Sequence, residues 1–417
     1  MEYRKRIVDE QLSRALRACG AVLIEGPRAC GKTVTAMQLA KSSANLDTDD
    51  SQRLIAENAP ATFLQGETPR LIDEWQIVKP IWNHVRREVD NRQAVGQFIL
   101  TGSAQSPDDA ITHSGAGRIM RMRMRPMSLF ESGFSNGQIS LRSIFEQVPF
   151  AGAIKEFNFL EVIDRVCIGG WPALQSKKVV VAQEILESYL EDVVRADFSS
   201  ITDVAKDPEK IRRIIRSLAR NVGSEIPTAR LASEVGSIEL GNIKGSTVET
   251  YIDVLRGLMI VEDLPAWPAH LRSKAVVRRS LKRYFVDPSL AAVALAASPT
   301  KLLNDLKTFG FLFENMVIRD LRIYGQSFGA RVFHYRDSSS LEIDAIVEDN
   351  SGAWAAFEIK LGNSEVDKAA KNLLKLASQI DETSFGKPRL LAVITAGSGS
   401  YVRPDGVAVI SIGTLGP

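Results

Sequence analysis

Residues 26–33 read Gly26-Pro27-Arg28-Ala29-Cys30-Gly31-Lys32-Thr33, the spacing G-x-x-x-x-G-K-T, and each position has a chemical use. The glycines let the backbone wrap closely with its N–H groups turned inward, which suits an anionic phosphate. The Lys32 ammonium can reach β- and γ-phosphate oxygens, and the Thr33 hydroxyl can ligate Mg²⁺. An apolar run, Ala21-Val22-Leu23-Ile24, precedes the loop and predicts a buried strand. Val34 and a helical pattern through Thr35-Ala36-Met37-Gln38-Leu39-Ala40 follow it. A helix starting there points its partial positive charge at the phosphate. Gly26 through Val34 is therefore the expected contact surface for a nucleoside triphosphate, with ATP and Mg²⁺ as the expected cofactors.

Such a loop needs an acidic partner on a neighbouring strand, and Leu71-Ile72-Asp73-Glu74 supplies it. Asp73 would support the Mg²⁺ shell and Glu74 would polarise the attacking water. A separation of about 40 residues suits a doubly wound parallel sheet. A further strand, Gln97-Phe98-Ile99-Leu100-Thr101, ends in Thr101-Gly102-Ser103. Thr101 and Ser103 can contact the γ-phosphate or position water; the alternative is a turn that needs its glycine. Gly117-Arg118 then precedes Ile119-Met120-Arg121-Met122-Arg123-Met124-Arg125, whose alternation predicts a strand. Arg118 is a candidate arginine finger, in its own subunit or across a subunit boundary, the latter requiring an oligomer. Arg121, Arg123 and Arg125 read as a solvated strand face.

These motifs, with Pro126-Met127-Ser128-Leu129-Phe130-Glu131, occur in an order that resembles prokaryotic AAA-type ATPases carrying an uncharacterised C-terminal domain. The resemblance covers nearly the whole chain and implies an ATP-hydrolysing N-terminal domain. Two departures stand out. Cys30 sits inside the loop, where a thiol among N–H groups is expected to react readily or else to be an inert small filler. Trp75 follows the acidic pair where the family often has an aliphatic residue.

The bulk properties exclude little. At 417 residues, 24% charged and 45% hydrophobic, the chain is long enough for two or three cored domains. A net charge of +2 gives no general argument for nucleic acid, so any such partner must be argued from local patches. No apolar run reaches the ~20 residues of a membrane helix. The opening Met1-Glu2-Tyr3-Arg4-Lys5-Arg6 lacks the apolar core of a signal peptide. Cys19, Cys30 and Cys167 are isolated, which fits a reducing cytoplasm. His84, His113, His270 and His334 are scattered and suggest no zinc site.

Beyond about residue 140 the nucleotide motifs stop. Expected helices run through Leu186–Val194, Ile211–Arg220, Pro227–Gly236 and Lys244–Leu255, with a turn at Gly169-Gly170-Trp171-Pro172 and a strand entered at Gly257–Val261. Helix, turn, helix, then a strand pair is the winged-helix order. The following hairpin is basic. Arg272, Lys274, Arg278, Arg279, Lys282 and Arg283 form a candidate DNA-contacting wing, or alternatively a surface for a protein partner.

In the last third, a helix from Phe309 leads to strands Arg331–Arg336, Leu341–Val347 and Trp354–Lys360, a hairpin turn at Asn350-Ser351-Gly352, a helix around Lys371–Gln379 and a strand at Leu390–Ile394. Asp344 lies on one strand of the hairpin, and Glu358 and Lys360 share one face of the other. Carboxylates so placed can hold Mg²⁺ while a lysine stabilises charge on a phosphate. With Glu314 from the preceding helix, the set resembles the PD-(D/E)xK nuclease core. That implies either a metal-dependent nuclease or a catalytically silent docking domain.

The expected architecture is α/β. An N-terminal P-loop NTPase with a doubly wound parallel sheet spans 1–140, a helical and winged-helix middle spans 141–290, and a restriction-endonuclease-like α/β domain spans 300–417. The expected function is Mg²⁺-dependent ATP binding and hydrolysis controlling DNA-directed C-terminal parts. The alternative is a nucleotide-gated protein- or DNA-binding regulator.

Overall fold

The computed structural model describes residues 3–103, 115–149, 152–197, 207–236, 244–268 and 281–417. It divides into two compact units, Met1–Pro126 with Arg256–Met259 and Met127–Leu255 with Ile260–Pro417.

In the first unit, the runs Ala21–Glu25, Arg70–Asp73 and Phe98–Gly102 become parallel strands buried on both faces, and the edge strands Ser42–Asn45 and Ile119–Arg123 stay partly exposed. The elements are α1 (Ile7–Ala18), β1 (Ala21–Glu25), α2 (Lys32–Met37), β2 (Ser42–Asn45), α3 (Asp50–Asn58), β3 (Arg70–Asp73), α4 (Ile81–Arg92), β4 (Phe98–Gly102) and β5 (Ile119–Arg123). Among the described residues the sheet order is β2-β3-β4-β1-β5 and every pair is parallel. All C-terminal strand ends therefore share one edge. β4 lies between β1 and β3, with Ile24 beside Thr101 and Ile72 beside Leu100. The register thus delivers Thr101 and Asp73 side by side next to the loop that follows β1. Leu23, Ile72, Phe98 and Leu100 pack with Trp75, Trp82 and Val85 to form the core.

The second unit opens with the motif at Met127–Glu131, which hydrogen-bonds within this unit. Ser128 N donates to Glu131 Oε2 at 2.7 Å, and Leu129 N donates to Asp320 Oδ2 at 3.0 Å. Helices α5 (Phe159–Ile168), α6 (Val179–Asp192), α7 (Pro208–Arg220), α8 (Thr228–Val235) and α9 (Gly245–Gly257) follow, then the hairpin β6 (Val261–Leu264) and β7 (Lys282–Phe285), and α10 (Pro288–Ala294). In α7 the spacing of Ile211, Ile214, Ile215 and Leu218 buries one stripe. Pro208 begins that helix, and Asp207 caps it by accepting from Glu209 N and Lys210 N.

The third segment of the chain builds α11 (Leu306–Ser327), β8 (Arg331–Arg336), β9 (Glu342–Glu348), β10 (Trp354–Lys360), α12 (Val366–Gln379), β11 (Leu391–Thr395), β12 (Gly399–Val402) and β13 (Ala408–Ser411). β8, β9 and β10 are antiparallel neighbours. β10, β11 and β13 run parallel, with α12 as the crossover from β10 to β11. Trp354, Ile343, Ile346, Val393 and Val409 pack under Leu373 and Leu376 of α12. The Asp349–Gly352 turn joins β9 to β10, with Gly352 at φ +83°.

Candidate functional site

Two clusters of acid, base and hydroxyl groups stand out, one in each unit. In the first, Gly31 adopts φ +103° as it hands the loop to α2, a conformation natural only to glycine. Gly26 needs its missing side chain for a different reason: a Cβ there would stand 2.3 Å from Met124 O. Lys32 is buried, and its Nζ donates to Gly26 O and Pro27 O, each at 2.9 Å. The Thr33 hydroxyl donates to Asp73 at 2.9 Å and 3.1 Å, and the Thr101 hydroxyl donates to the same carboxylate. Pro27 is buried, whereas Arg28, Ala29 and Val34 stand exposed at the surface of the loop and helix. Thr33, Asp73 and Thr101 form a set of hard oxygen donors, which fits Mg²⁺. Beside an uncompensated lysine and a glycine-shaped loop, the set fits a Mg²⁺–nucleotide.

Glu74 directly follows β3 at φ +51°, a strained position for a non-glycine residue and the kind of strain that functional sites hold. Its Oε2 accepts from Ser103 Oγ at 3.2 Å and from the Gln76 side-chain amide. Asp73, Glu74, Thr101, Ser103, Lys32 and Thr33 thus converge, as the strand order demands. Gln76 was not legible as a partner of Glu74. Nor was Arg6, whose buried guanidinium donates to Cys30 O at 2.9 Å and Arg125 O at 2.8 Å, tying α1 to the loop. The signal was a basic residue just before an amphipathic helix, which is too common to single out.

Two expectations for this unit change, and the open one for Cys30 is decided. Arg118 precedes β5, and its carbonyl bonds Ala21 N at the start of β1. It therefore stands at the edge of the sheet opposite the loop, where it pairs with Asp90 at 2.9 Å. Five residues of extended strand, roughly 16 Å, separate it from the loop, so it cannot act in cis on a phosphate held there. Arg121 is not simply solvated: it pairs with Glu25 at 2.9 Å and lies over the Trp82 ring at 5.2 Å. The Cys30 thiol is fully buried against Met124 O at 3.8 Å, so it is a filler rather than a reactive loop group.

In the second unit, the β9–β10 register brings Asp344 beside Glu358. Lys360 Nζ sits between them, 2.8 Å from Asp344 Oδ2 and 2.6 Å from Glu358 Oε2. Ile359 N also donates to Asp344 at 2.8 Å, and Asn372 of α12 donates to Glu358 at 3.0 Å. Glu314 joins from α11 and accepts from Tyr284 OH at 2.5 Å. Burial pushes the Glu358 carboxyl up to about 8, with Asp344 adding to the rise and Lys360 opposing it. Burial likewise pushes Glu314 up to about 7, opposed by Lys282. Burial would raise Asp344 as well, but Lys360 and Lys282 outweigh it and hold that carboxyl below the ordinary range.

The four nuclease-like positions are brought together, but lysines bridge the acids. Among the described residues no three His, Cys, Asp or Glu side chains are grouped to hold a metal ion, and Lys360 occupies the space between Asp344 and Glu358. Two residues of the basic wing change too. Arg272, Lys274, Arg278 and Arg279 lie outside the described residues. Lys282 is 2% exposed and points inward, 2.7 Å from Glu342 and 3.7 Å from Glu314. Arg283 donates to Ile226 O at 2.6 Å and pairs with Glu249 at 3.7 Å. The two alternate across β7, and each meets carboxylates on its own face, Lys282 on Glu342 and Glu314 and Arg283 on Glu249. Among the described residues, no helix is long and apolar enough to cross a membrane.

Known proteins resemble the chain in three blocks. An AAA domain model matches residues 19–132. Two models described as domains of unknown function match residues 160–301 (DUF8612) and 309–415 (DUF4143). Uncharacterized protein Rv2008c of Mycobacterium tuberculosis and uncharacterized protein Mb2031c of Mycobacterium bovis are each 24% identical over 369 residues, covering 86% of this chain and 74% of theirs. Among solved structures, a point mutant of Thermotoga maritima RuvB matches at 15% identity and a TM-score of 0.27, over 62% of this chain and 89% of its own. A Drosophila ORC structure bound to DNA matches at 13% identity and a TM-score of 0.22, over 66% and 89%. The chain carries an N-terminal AAA-type P-loop ATPase domain followed by two domains of unknown function.

Proposed function

We propose that the protein binds and hydrolyses ATP with Mg²⁺, and that its nucleotide state controls the C-terminal parts. The observation that carries this reading is the convergence of Thr33, Asp73 and Thr101 beside Lys32 at one edge of the parallel sheet. Lys32 and the loop N–H groups would hold the phosphates, and Thr33 with Asp73 would hold Mg²⁺. When bound, the metal neutralises charge on the transferring phosphoryl group. Glu74 accepts hydrogen bonds from Ser103 and Gln76, and from that position it would orient and deprotonate the attacking water. Arg118 is left with a role only across a subunit boundary.

The route to the C-terminal parts runs along the covalent chain. Met124 O packs on Gly26, and Arg125 O accepts from Arg6. One proline later Met127 N donates to Gly170 O at 2.6 Å, inside the second unit. A change in the loop is therefore three residues from the first anchored residue of that unit. Phosphate release by the purified protein with Mg²⁺ and ATP tests the reading. Activity lost in Lys32→Ala supports it, and activity equal to wild type in that variant overturns it.

The element order α11, β8–β10, α12, β11 supports a restriction-endonuclease-like core, and α7–α9 with the β6–β7 hairpin supports a winged-helix module. Because Lys360 bridges and neutralises Asp344 and Glu358, we assign that core to binding rather than strand cleavage. Plasmid nicking in Mg²⁺ that disappears in Asp344→Asn would reverse this assignment.

A further inference from the structure

Beside the lysine–carboxylate cluster the second unit carries a cleft of about 780 Å³, a size typical of ligand sites. One wall is the end of α7 and the turn after it. The other runs from Lys301 to Phe311, across the start of α11. Arg220, Lys301 and Lys307 line the cleft against a single carboxylate, Asp305. That carboxylate is engaged in capping α11, where it accepts from Thr308 N at 3.1 Å and Thr308 Oγ1 at 2.6 Å. Lys301 donates to Ala296 O at 2.7 Å. Arg220 and Lys307 are exposed, and the Lys307 charge helps hold the Asp305 carboxyl below its ordinary range, after the hydrogen bonds from Thr308. Phe311 keeps 38% of its surface exposed in the same wall.

The cleft abuts the cluster through one residue. Gly223 stands at φ +73° between Val222 and Ser224, which both line the cleft. A Cβ on Gly223 would stand 3.2 Å from Glu314 Oε1. A ligand in the cleft would thus lie one backbone thickness from the Glu314 end of the cluster.

We infer that this cleft binds a segment of single-stranded nucleic acid, with Arg220 and Lys307 on backbone phosphates and Phe311 stacked under a base. Three cations against one carboxylate leave a positive excess that answers the charge of the strand, and an exposed aromatic in a cationic groove stacks any base. The cleft is concave, so an unpaired strand enters it where a duplex would rest across its rim. This goes beyond the hydrolysis reading, since binding here requires neither ATP turnover nor strand cleavage.

The test is fluorescence anisotropy of a labelled oligothymidylate with the full chain in EDTA, between about 50 and 200 mM salt. Wild type should bind with affinity falling as salt rises. Arg220→Ala with Lys307→Ala should shallow the log–log salt slope by about 1.4, at ~0.7 per lost phosphate contact. Phe311→Ala should weaken binding roughly 10-fold with the slope unchanged. Lys32→Ala should bind the strand like wild type, which separates this site from the nucleotide loop. All substitutions in the cleft are at exposed positions, and matched melting temperatures verify folding. The inference is overturned if wild type does not bind at the lowest salt, or if the cleft variants bind unchanged. It is also overturned if a duplex of equal length binds as tightly, or if polyglutamate displaces the strand at equal charge.

Discussion

Lys32 in the first unit donates to two neutral carbonyls at 2.9 Å, and among the described residues it pairs with no carboxylate. Lys360 in the second stands within 2.8 Å of Asp344 and 2.6 Å of Glu358. Both belong to short motifs with an acid close by in space, yet their electrostatics are opposed. The Lys32 charge is left to attract an anion, while Asp73 takes hydroxyl donors, Thr33 and Thr101, that a cation could replace. In the second cluster Lys282 and Lys360 already neutralise the acids, and the excess negative charge is relieved by carboxyls that hold their protons to higher pH. The contrast separates a site built to receive charge from one built to balance it. A buried, satisfied ion-pair network is weak evidence for catalysis or for stability.

The comparison breaks most sharply at Glu74. Glu74→Gln should lower ATP hydrolysis about 100- to 10,000-fold, the range of a general base, with ATP binding kept. Equal loss of binding, read by nucleotide fluorescence, would remove Glu74 from the chemistry. Lys32→Ala should lower hydrolysis about 100- to 1,000-fold and, unlike Glu74→Gln, weaken ATP binding as well.

The second cluster should answer in stability instead. Lys360→Met leaves Asp344 and Glu358 without their shared cation and should destabilise the second unit by about 3–5 kcal/mol in denaturant unfolding. A cost below about 1 kcal/mol would mean the bridge is slack. Asp344→Asn added to Lys360→Met should recover part of the loss, because the remaining cost is an unpaired charge.

The pH response sharpens the same point. Glu358 has its folded pKa raised to about 8 from an ordinary 4.5. Its contribution is therefore fully present below about pH 4.5 and is lost as pH rises through 8. Glu314, raised to about 7, acts in the same direction. Melting temperature should fall by a few degrees between pH 6 and 9 in wild type, and by less in Glu358→Gln. An equal fall in both would assign the pH dependence elsewhere. The smallest effect concerns Cys30: brief alkylation of native protein should leave it unmodified by mass spectrometry while half-exposed Cys19 reacts.

Much of the first site was legible in the sequence because its chemistry is local. Gly26, Gly31, Lys32 and Thr33 fall within one turn of chain, and Asp73, Glu74, Thr101 and Ser103 each end an apolar strand. Two of the six wing residues were misread for the converse reason. Lys282 and Arg283 look like part of a basic run, and only packing shows that one meets Glu342 and the other Glu249. Arg118 failed likewise. Its spacing from the loop motifs said nothing of which strand edge it occupies, and parallel pairing placed it at the far one.

The sequence by itself determined the loop conformation, the strand ends that face it and the helix-and-strand order of the C-terminal part. These follow from glycine's freedom, from apolar periodicity and from motif spacing, all of which act over a few residues. The tertiary structure alone decided the order β3-β4-β1, Arg6 and Gln76 as supports of the site, and the bridging of the C-terminal acids by Lys282 and Lys360. Charge pairing and desolvation depend on which groups meet across elements far apart in the chain, and that meeting is fixed by register and packing.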